Sequence, residues 1–157
     1  MSSAPRRSGW ALGVMNERRR EVDSILKATS VPLLRRRGFK GSYPHFYRVI
    51  GEHVDLLMFQ FRSDGSSFVV EISYADPARA NVGFRPETEP RGLQVSATRK
   101  RRRLGADREN NLADHWFSLD HSAVADSNAH YRKLALKVNG LVLDEAEPWW
   151  EARRKDP

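Results

Sequence analysis

Between Val54 and Ala75 the chain reads VDLLMFQFRSDGSSFVVEISYA, and the Asp64-Gly65 pair inside this stretch constrains the fold more than any other feature. Asp-Gly between two β-branched, aromatic runs is a strong short-range hairpin signal, because a type I′ turn asks both central residues for positive φ. Centring the turn on that pair sets Phe61 opposite Phe68, Phe59 opposite Val70 and Leu57 opposite Ile72. One face of the ribbon is then wholly apolar, and a slip of one residue would turn all of it away from the core. The opposite face carries Leu56, Met58, Gln60, Val69, Glu71 and Ser73, a mixed set suited neither to core nor to water. The expectation is that helices cover the apolar face and leave the mixed face open as a working surface.

The rest of the chain supplies those helices. Residues 1–13, rich in Ser, Pro, Gly and Arg, read as a flexible tail, and residues 14–157 as a single domain. From Asn16, Val22, Ile25, Leu26, Leu33 and Leu34 fall on one helical stripe. Pro32 lacks the N–H that would bond back to residue 28, so a kink or split is expected there. Gly38 stands where a C-terminal cap belongs, after the cations Arg35, Arg36 and Arg37. YPHFYRVI (43–50) reads as a strand ahead of the hairpin, and residues 76–92, with three prolines and no period, as a long loop. A fourth strand is expected from Leu93 into the basic run, and a short fifth around HWFSL (115–119). Asp120 or Ser122 would cap a second helix carrying Tyr131, Leu134, Ala135, Val138, Leu141 and Val142, and Pro148 would open a final turn bearing Trp149 and Trp150. The fold class is therefore α+β: an antiparallel four- to five-stranded meander packed against a kinked N-terminal helix and a C-terminal helix.

Charge narrows the partners. With 27 basic and 20 acidic residues the chain carries +7, a field that favours acidic proteins, nucleic acid or anionic surfaces. Arginines number 21 and lysines 6. Selection for bidentate binding of phosphate or carboxylate would enrich Arg, and so would a GC-rich genome with no function attached. There is no cysteine, hence no disulfide and no thiolate metal site, which suits the cytoplasm. No run approaches the roughly 20 apolar residues of a membrane span, and the N-terminus does not read as a secretory signal.

In order along the chain, LLRRRGFKGSYPHFYRV, LLMFQFR, SFVVEISYA, RRRLG, DHWFSLD and EPWW resemble a bacterial family known as domain of unknown function 4304. The resemblance covers about residues 20–150 and rests on Gly38, Phe39, Phe46, Phe59, Gln60, Phe68, Val70, Arg103 and Trp116. The family pattern has a glycine shortly after the third strand, where this chain has Ser73-Tyr74-Ala75. The resemblance implies a fold and brings no activity with it.

No motif supports an enzyme: there is no glycine-rich phosphate loop, no nucleophile elbow and no His-Glu-x-x-His. Asp55 and Glu71 lie on neighbouring strands but on opposite faces in this register, which defeats a metal-dependent nuclease arrangement. On a strand, His115 and His121 would stand about 20 Å apart, too far to share a metal. No metal or cofactor is expected. The candidate binding residues are Met58, Gln60 and Glu71 of the mixed face, Arg48, Arg99, Arg101, Arg103 and Trp116. Gln60 would either bond to a loop backbone or offer a ligand a polar handle. Arg99, Arg101 and Arg103 would share one face of the fourth strand, chiefly as a solvated edge that deters edge-to-edge pairing. The expected function is a small non-enzymatic accessory module that engages an acidic protein or peptide, of the toxin-neutralising kind. The alternative is nonspecific nucleic-acid binding through the arginines.

Overall fold

The computed structural model of the chain describes residues 9–76, 89–106, 116–120 and 126–155, with residues 9–16 described by backbone alone. An N-terminal helix, α1 (Gly9–Arg36), leads into four consecutive antiparallel strands: β1 (Lys40–Ser42), β2 (His45–Ile50), β3 (His53–Phe61) and β4 (Ser67–Ala75). Two short strands, β5 (Arg101–Arg103) and β6 (Phe117–Ser118), pair with successive stretches of the outer edge of β4. The chain ends in α2 (Ser127–Leu141), a π-helical segment (Val142–Ala146) and α3 (Glu147–Lys155). The class is α+β, with an N-terminal helix, an antiparallel sheet and a C-terminal helical segment.

The hairpin register is the expected one: Phe61 pairs with Phe68, Phe59 with Val70 and Leu57 with Ile72. The turn that closes it differs. Its hydrogen bond runs from the Gly65 N–H to the Arg62 carbonyl at 2.9 Å, so Ser63 and Asp64 are its central pair and Gly65 follows at φ 72°. A bond from the Arg62 N–H to the Ser67 carbonyl then closes the ribbon, and the Asp64 carboxylate accepts from the Ser66 N–H and hydroxyl. That side-chain capping stabilises this frame over the type I′ turn.

The apolar face is the core. Leu57, Phe59, Phe68, Val70, Ile72 and Tyr74 pack with Val22, Ile25, Leu26 and Leu34 of α1, Tyr131, Ala135 and Val138 of α2, and Trp150 of α3. Helix α1 starts at Gly9, inside the stretch expected to be a tail; residues 1–8 lie outside the described residues. Nor does Pro32 split it. The lost bond falls in the last turn, which buried Leu34 holds in the core. The end is a Schellman cap: Phe39 N–H bonds to the Leu34 carbonyl at 2.9 Å and Gly38 N–H to the Arg35 carbonyl at 3.0 Å, with Gly38 at φ 91°.

The mixed face is not open. Leu56, Met58, Val69, Glu71 and Ser73 are all buried there. Leu93 and Val95 form a second apolar cluster on it with Val54, Leu56, Met58 and Ala75. These two residues come from a segment expected to be a strand; Leu93 instead follows a 3₁₀ turn at the end of the expected loop, Pro90–Gly92, Val95 opens a second, Val95–Ala97, and the strand starts only at Arg101. Laying single apolar side chains over the sheet covers a face that a further edge strand would leave exposed. Residues 77–88 of the expected loop lie outside the described residues.

Helix α2 is capped by Asp126, whose carboxylate accepts from the Asn128 N–H at 3.0 Å, and not by Asp120; Ser122 lies outside the described residues. Pro148 does not begin a separate turn. The helix passes through the π segment, where the Glu147 N–H reaches back to the Val142 carbonyl, and continues past Pro148 to Lys155. A π bulge just before a residue without an N–H lets the helical path continue past it.

Candidate anion-binding cleft

Helical spacing splits α3 into two working stripes. Glu147, Trp150 and Arg154 lie three and four residues apart and turn to the sheet, while Trp149 and Arg153, four apart, lie on the neighbouring stripe. Trp150 is fully buried, its ring 5.1 Å from Phe39 and its Nε1 donating to the Ser73 carbonyl at 2.9 Å. Beside it a buried charge network anchors the helix. Arg48 Nε donates to Asp55 Oδ2 at 2.9 Å, and its Nη1 and Nη2 bond both Glu147 oxygens at 2.8 and 2.9 Å. Arg154 Nη1 reaches both Asp55 oxygens at 2.9 and 2.7 Å. Burial disfavours the Glu147 charge, but the hydrogen bonds and charges of Arg48 and Arg37 outweigh it and hold the carboxyl below its ordinary value. His53, stacked on Tyr74 at 4.9 Å, places Nδ1 3.4 Å from Asp55.

With α3 anchored, its second stripe meets the arginine strand. Arg99, Lys100, Arg101, Arg102, Trp149 and Arg153 line a cleft of about 390 Å³. Strand alternation sends Arg101 and Arg103 to one side of β5, where Glu71, only 6% exposed, sits between them: Oε1 is 3.5 Å from Arg101 Nη1 and Oε2 3.5 Å from Arg103 Nε. Arg101 Nε also donates to the Thr98 carbonyl at 3.0 Å. Arg102 points to the other side, where its Nε donates to Glu145 Oε1 at 2.8 Å and the Gly105 N–H donates to Oε2 at 3.0 Å. A glutamate thus holds the arginine strand from each side. Arg99, Lys100 and Arg153 have no ion pair among the described residues, and no described carboxylate lines the cleft. The Arg153 Nε is buried without a hydrogen-bond partner among the described residues. Its guanidinium carbon lies 5.3 Å from the Trp149 ring centroid, and Tyr74 meets that indole edge-on at 5.9 Å.

The candidate residues read from the sequence separate into three groups. Arg101 and Glu71 belong to the cleft and its support, and Arg99 stands at its rim. Arg103 completes the clamp on Glu71 and lies 5.1 Å from the half-exposed Trp116 ring, which Arg62 also approaches at 5.5 Å. Arg48 is the buried anchor of α3, Met58 is core, and Gln60 at the end of β3 is exposed and needs no buried partner. Arg101 and Arg103 are therefore not a freely solvated edge; each faces a buried carboxylate. His115 and His121 lie outside the described residues, and among those described no group of three His, Asp or Glu could hold a metal. Among them, too, no helix is long and apolar enough to cross a membrane.

Sequence reasoning missed Lys100, Arg102, Trp149, Arg153 and Glu145. The signal for two of them was present: in EPWWEARR, Trp149 and Arg153 are one helical turn apart and share a face that Trp150 does not. Taking Pro148 as the start of a mere turn hid that spacing.

Fold and cleft together define a small α+β module with a cationic pocket, lined by no carboxylate among the described residues, between an edge strand and its last helix. The family model described as Domain of unknown function (DUF4304) matches residues 30–152, and the chain belongs to that family. No curated protein and no solved structure matches it.

Proposed function

We propose that this protein is a non-enzymatic binding module of the bacterial cytoplasm whose cleft takes an acidic segment of a partner protein. The observation that carries this reading is the imbalance in the cleft: five cationic side chains line it, and three of them lack a counter-charge among the described residues. Held cations with no partner of their own form a site poised for anions, and the glutamates behind Arg101 and Arg102 reduce the side-chain entropy that binding must remove. The absence of cysteine in the chain fits a reducing compartment.

Nucleic acid is the weaker occupant for a specific reason. A base-stacking platform needs an open aromatic face. Arg153 already lies against the Trp149 indole and Tyr74 meets it edge-on.

Fluorescence anisotropy with a labelled oligoglutamate peptide, and separately with single-stranded and duplex DNA of random sequence, tests the assignment between about 50 and 200 mM salt. Substituting Arg99, Lys100 and Arg153 by Gln together is expected to abolish binding of the peptide. Tighter binding of either DNA, with a steep salt slope that the triple variant flattens, would replace this reading with the nucleic-acid one.

A further inference from the structure

We propose that the group the cleft recognises is a phosphoryl dianion carried on the partner peptide, a proposal that rests on the cleft being the site for an acidic segment. The charges set the requirement. Arg99, Lys100 and Arg153 bring to one cleft three positive charges that no described residue compensates. A single carboxylate answers one of them; a phosphomonoester carries about −1.5 to −2 at neutral pH and presents three acceptor oxygens.

The donors match that shape. Arg153, half-buried, lines the cleft, and no ion pair holds its guanidinium among the described residues. Arg102 bonds Glu145 through Nε, and among the described residues its two Nη groups are uncommitted. Arg99 and Lys100, both exposed, stand at the rim where a ligand enters. Donors thus approach from β5, from the bend before it and from α3, and a tetrahedral oxyanion accepts from directions outside any one plane, whereas a carboxylate accepts chiefly within its own. Recognition of phosphorylated motifs by arginine clusters is a general mode built on such charge-assisted bonds. A phosphodiester backbone, with one charge per unit, supplies less to the same donors.

The test is a titration of a phosphoserine peptide against the same peptide with Glu at that position, at pH 7.5 and pH 5, with inorganic phosphate as competitor. At pH 7.5 the phosphopeptide is expected to bind at least about tenfold tighter than its Glu counterpart. That advantage should shrink at pH 5, where the phosphoryl has taken its second proton, since that pKa lies near about 6. The Glu peptide over the same range controls for titration of the protein's own groups, among them Glu71 and Glu145 behind the cleft and His53 and Glu147 near the α3 anchor. Inorganic phosphate should displace the phosphopeptide. Arg153→Gln and Arg99→Gln should each weaken it about tenfold, and Arg99→Gln, at an exposed position, controls for any folding defect in the other. Equal affinity for the two peptides would overturn the phosphoryl assignment while leaving the acidic-segment reading intact. Failure of both to bind would overturn both. Retention of full phosphopeptide affinity in both variants would show that the phosphoryl is read elsewhere.

Discussion

Phe59 illustrates how much of this fold rests on single side chains. It is 3% exposed, and its ring lies 5.4 Å from Tyr43 and 6.3 Å from both Phe46 and Phe68. Phe59→Ala is expected to lower stability by about 3–5 kcal/mol, since rigid neighbours close only part of the void. Urea denaturation measures it, and a loss under about 1 kcal/mol would mean that the surrounding core collapses freely into the space. This residue was legible from alternation alone. Glu71 was not: alternation assigns it correctly to the face shared with Met58, yet cannot say that this face is buried or that two arginines from a distant segment close over the carboxylate. Gln60 shows the reverse. Its place on the same face suggested burial, but it stands near the end of β3 and is solvated.

At the scale of elements, β5 carries the revision with the most consequence. Three residues long, it pairs with β4 so that Arg101 and Arg103 flank Glu71 while Arg102 reaches the π segment. Replacing Arg101 and Arg103 together by Gln leaves a 6%-exposed carboxylate without its cations, and stability should fall by about 1–3 kcal/mol. The lower part of that range is favoured because Arg101 is itself 41% exposed. Arg99→Gln should change stability by less than about 0.5 kcal/mol. Adding Glu71→Gln to the double variant should recover part of the loss. Thermal melts of the four proteins decide it: equal melting temperatures for the double variant and Arg99→Gln would return these arginines to the role of a solvated edge. Helix α3 was the element least legible beforehand. Pro148 inside it argues for a break, and only the π segment reconciles that proline with a continuing helix.

For the molecule as a whole, α3 is a latch held by charge. Glu147 and Asp55, on different elements, share Arg48, and Arg154 closes the set from α3. Because the folded-state value of Glu147 is depressed, its contribution to stability is complete above the ordinary Glu value of about 4.3 and is lost as pH falls through the folded one. Stability should accordingly decline below about pH 4.3, and Glu147→Gln should flatten that decline while lowering stability at pH 7, where Arg48 loses a buried partner. Urea midpoints taken between about pH 3 and pH 7 check both parts. A slope unchanged in the variant would assign acid lability to other carboxylates. The same variant bears on the cleft, since Trp149 and Arg153 are held in place only while α3 stays docked.

What the sequence determined by itself was everything that short-range periodicity encodes. The hairpin register followed from a period of two around Asp64-Gly65, the end of α1 from Gly38 after a basic turn, and the core face from the spacing of apolar side chains. The family followed from short motifs in order, now matched over residues 30–152. The tertiary structure alone decided which charges meet. Glu71 and Arg103 are 32 positions apart in the chain and Arg48 and Glu147 are 99 apart, so no local pattern pairs them. It also decided that Leu93 and Val95 would cover the second face, because burial of isolated apolar residues in 3₁₀ turns has no period to read. The cleft arises from the same cause: its cations belong to β5, to the bend before it and to α3, far apart in the chain, and charge, unlike apolar spacing, carries no record in the sequence of the partner it will find.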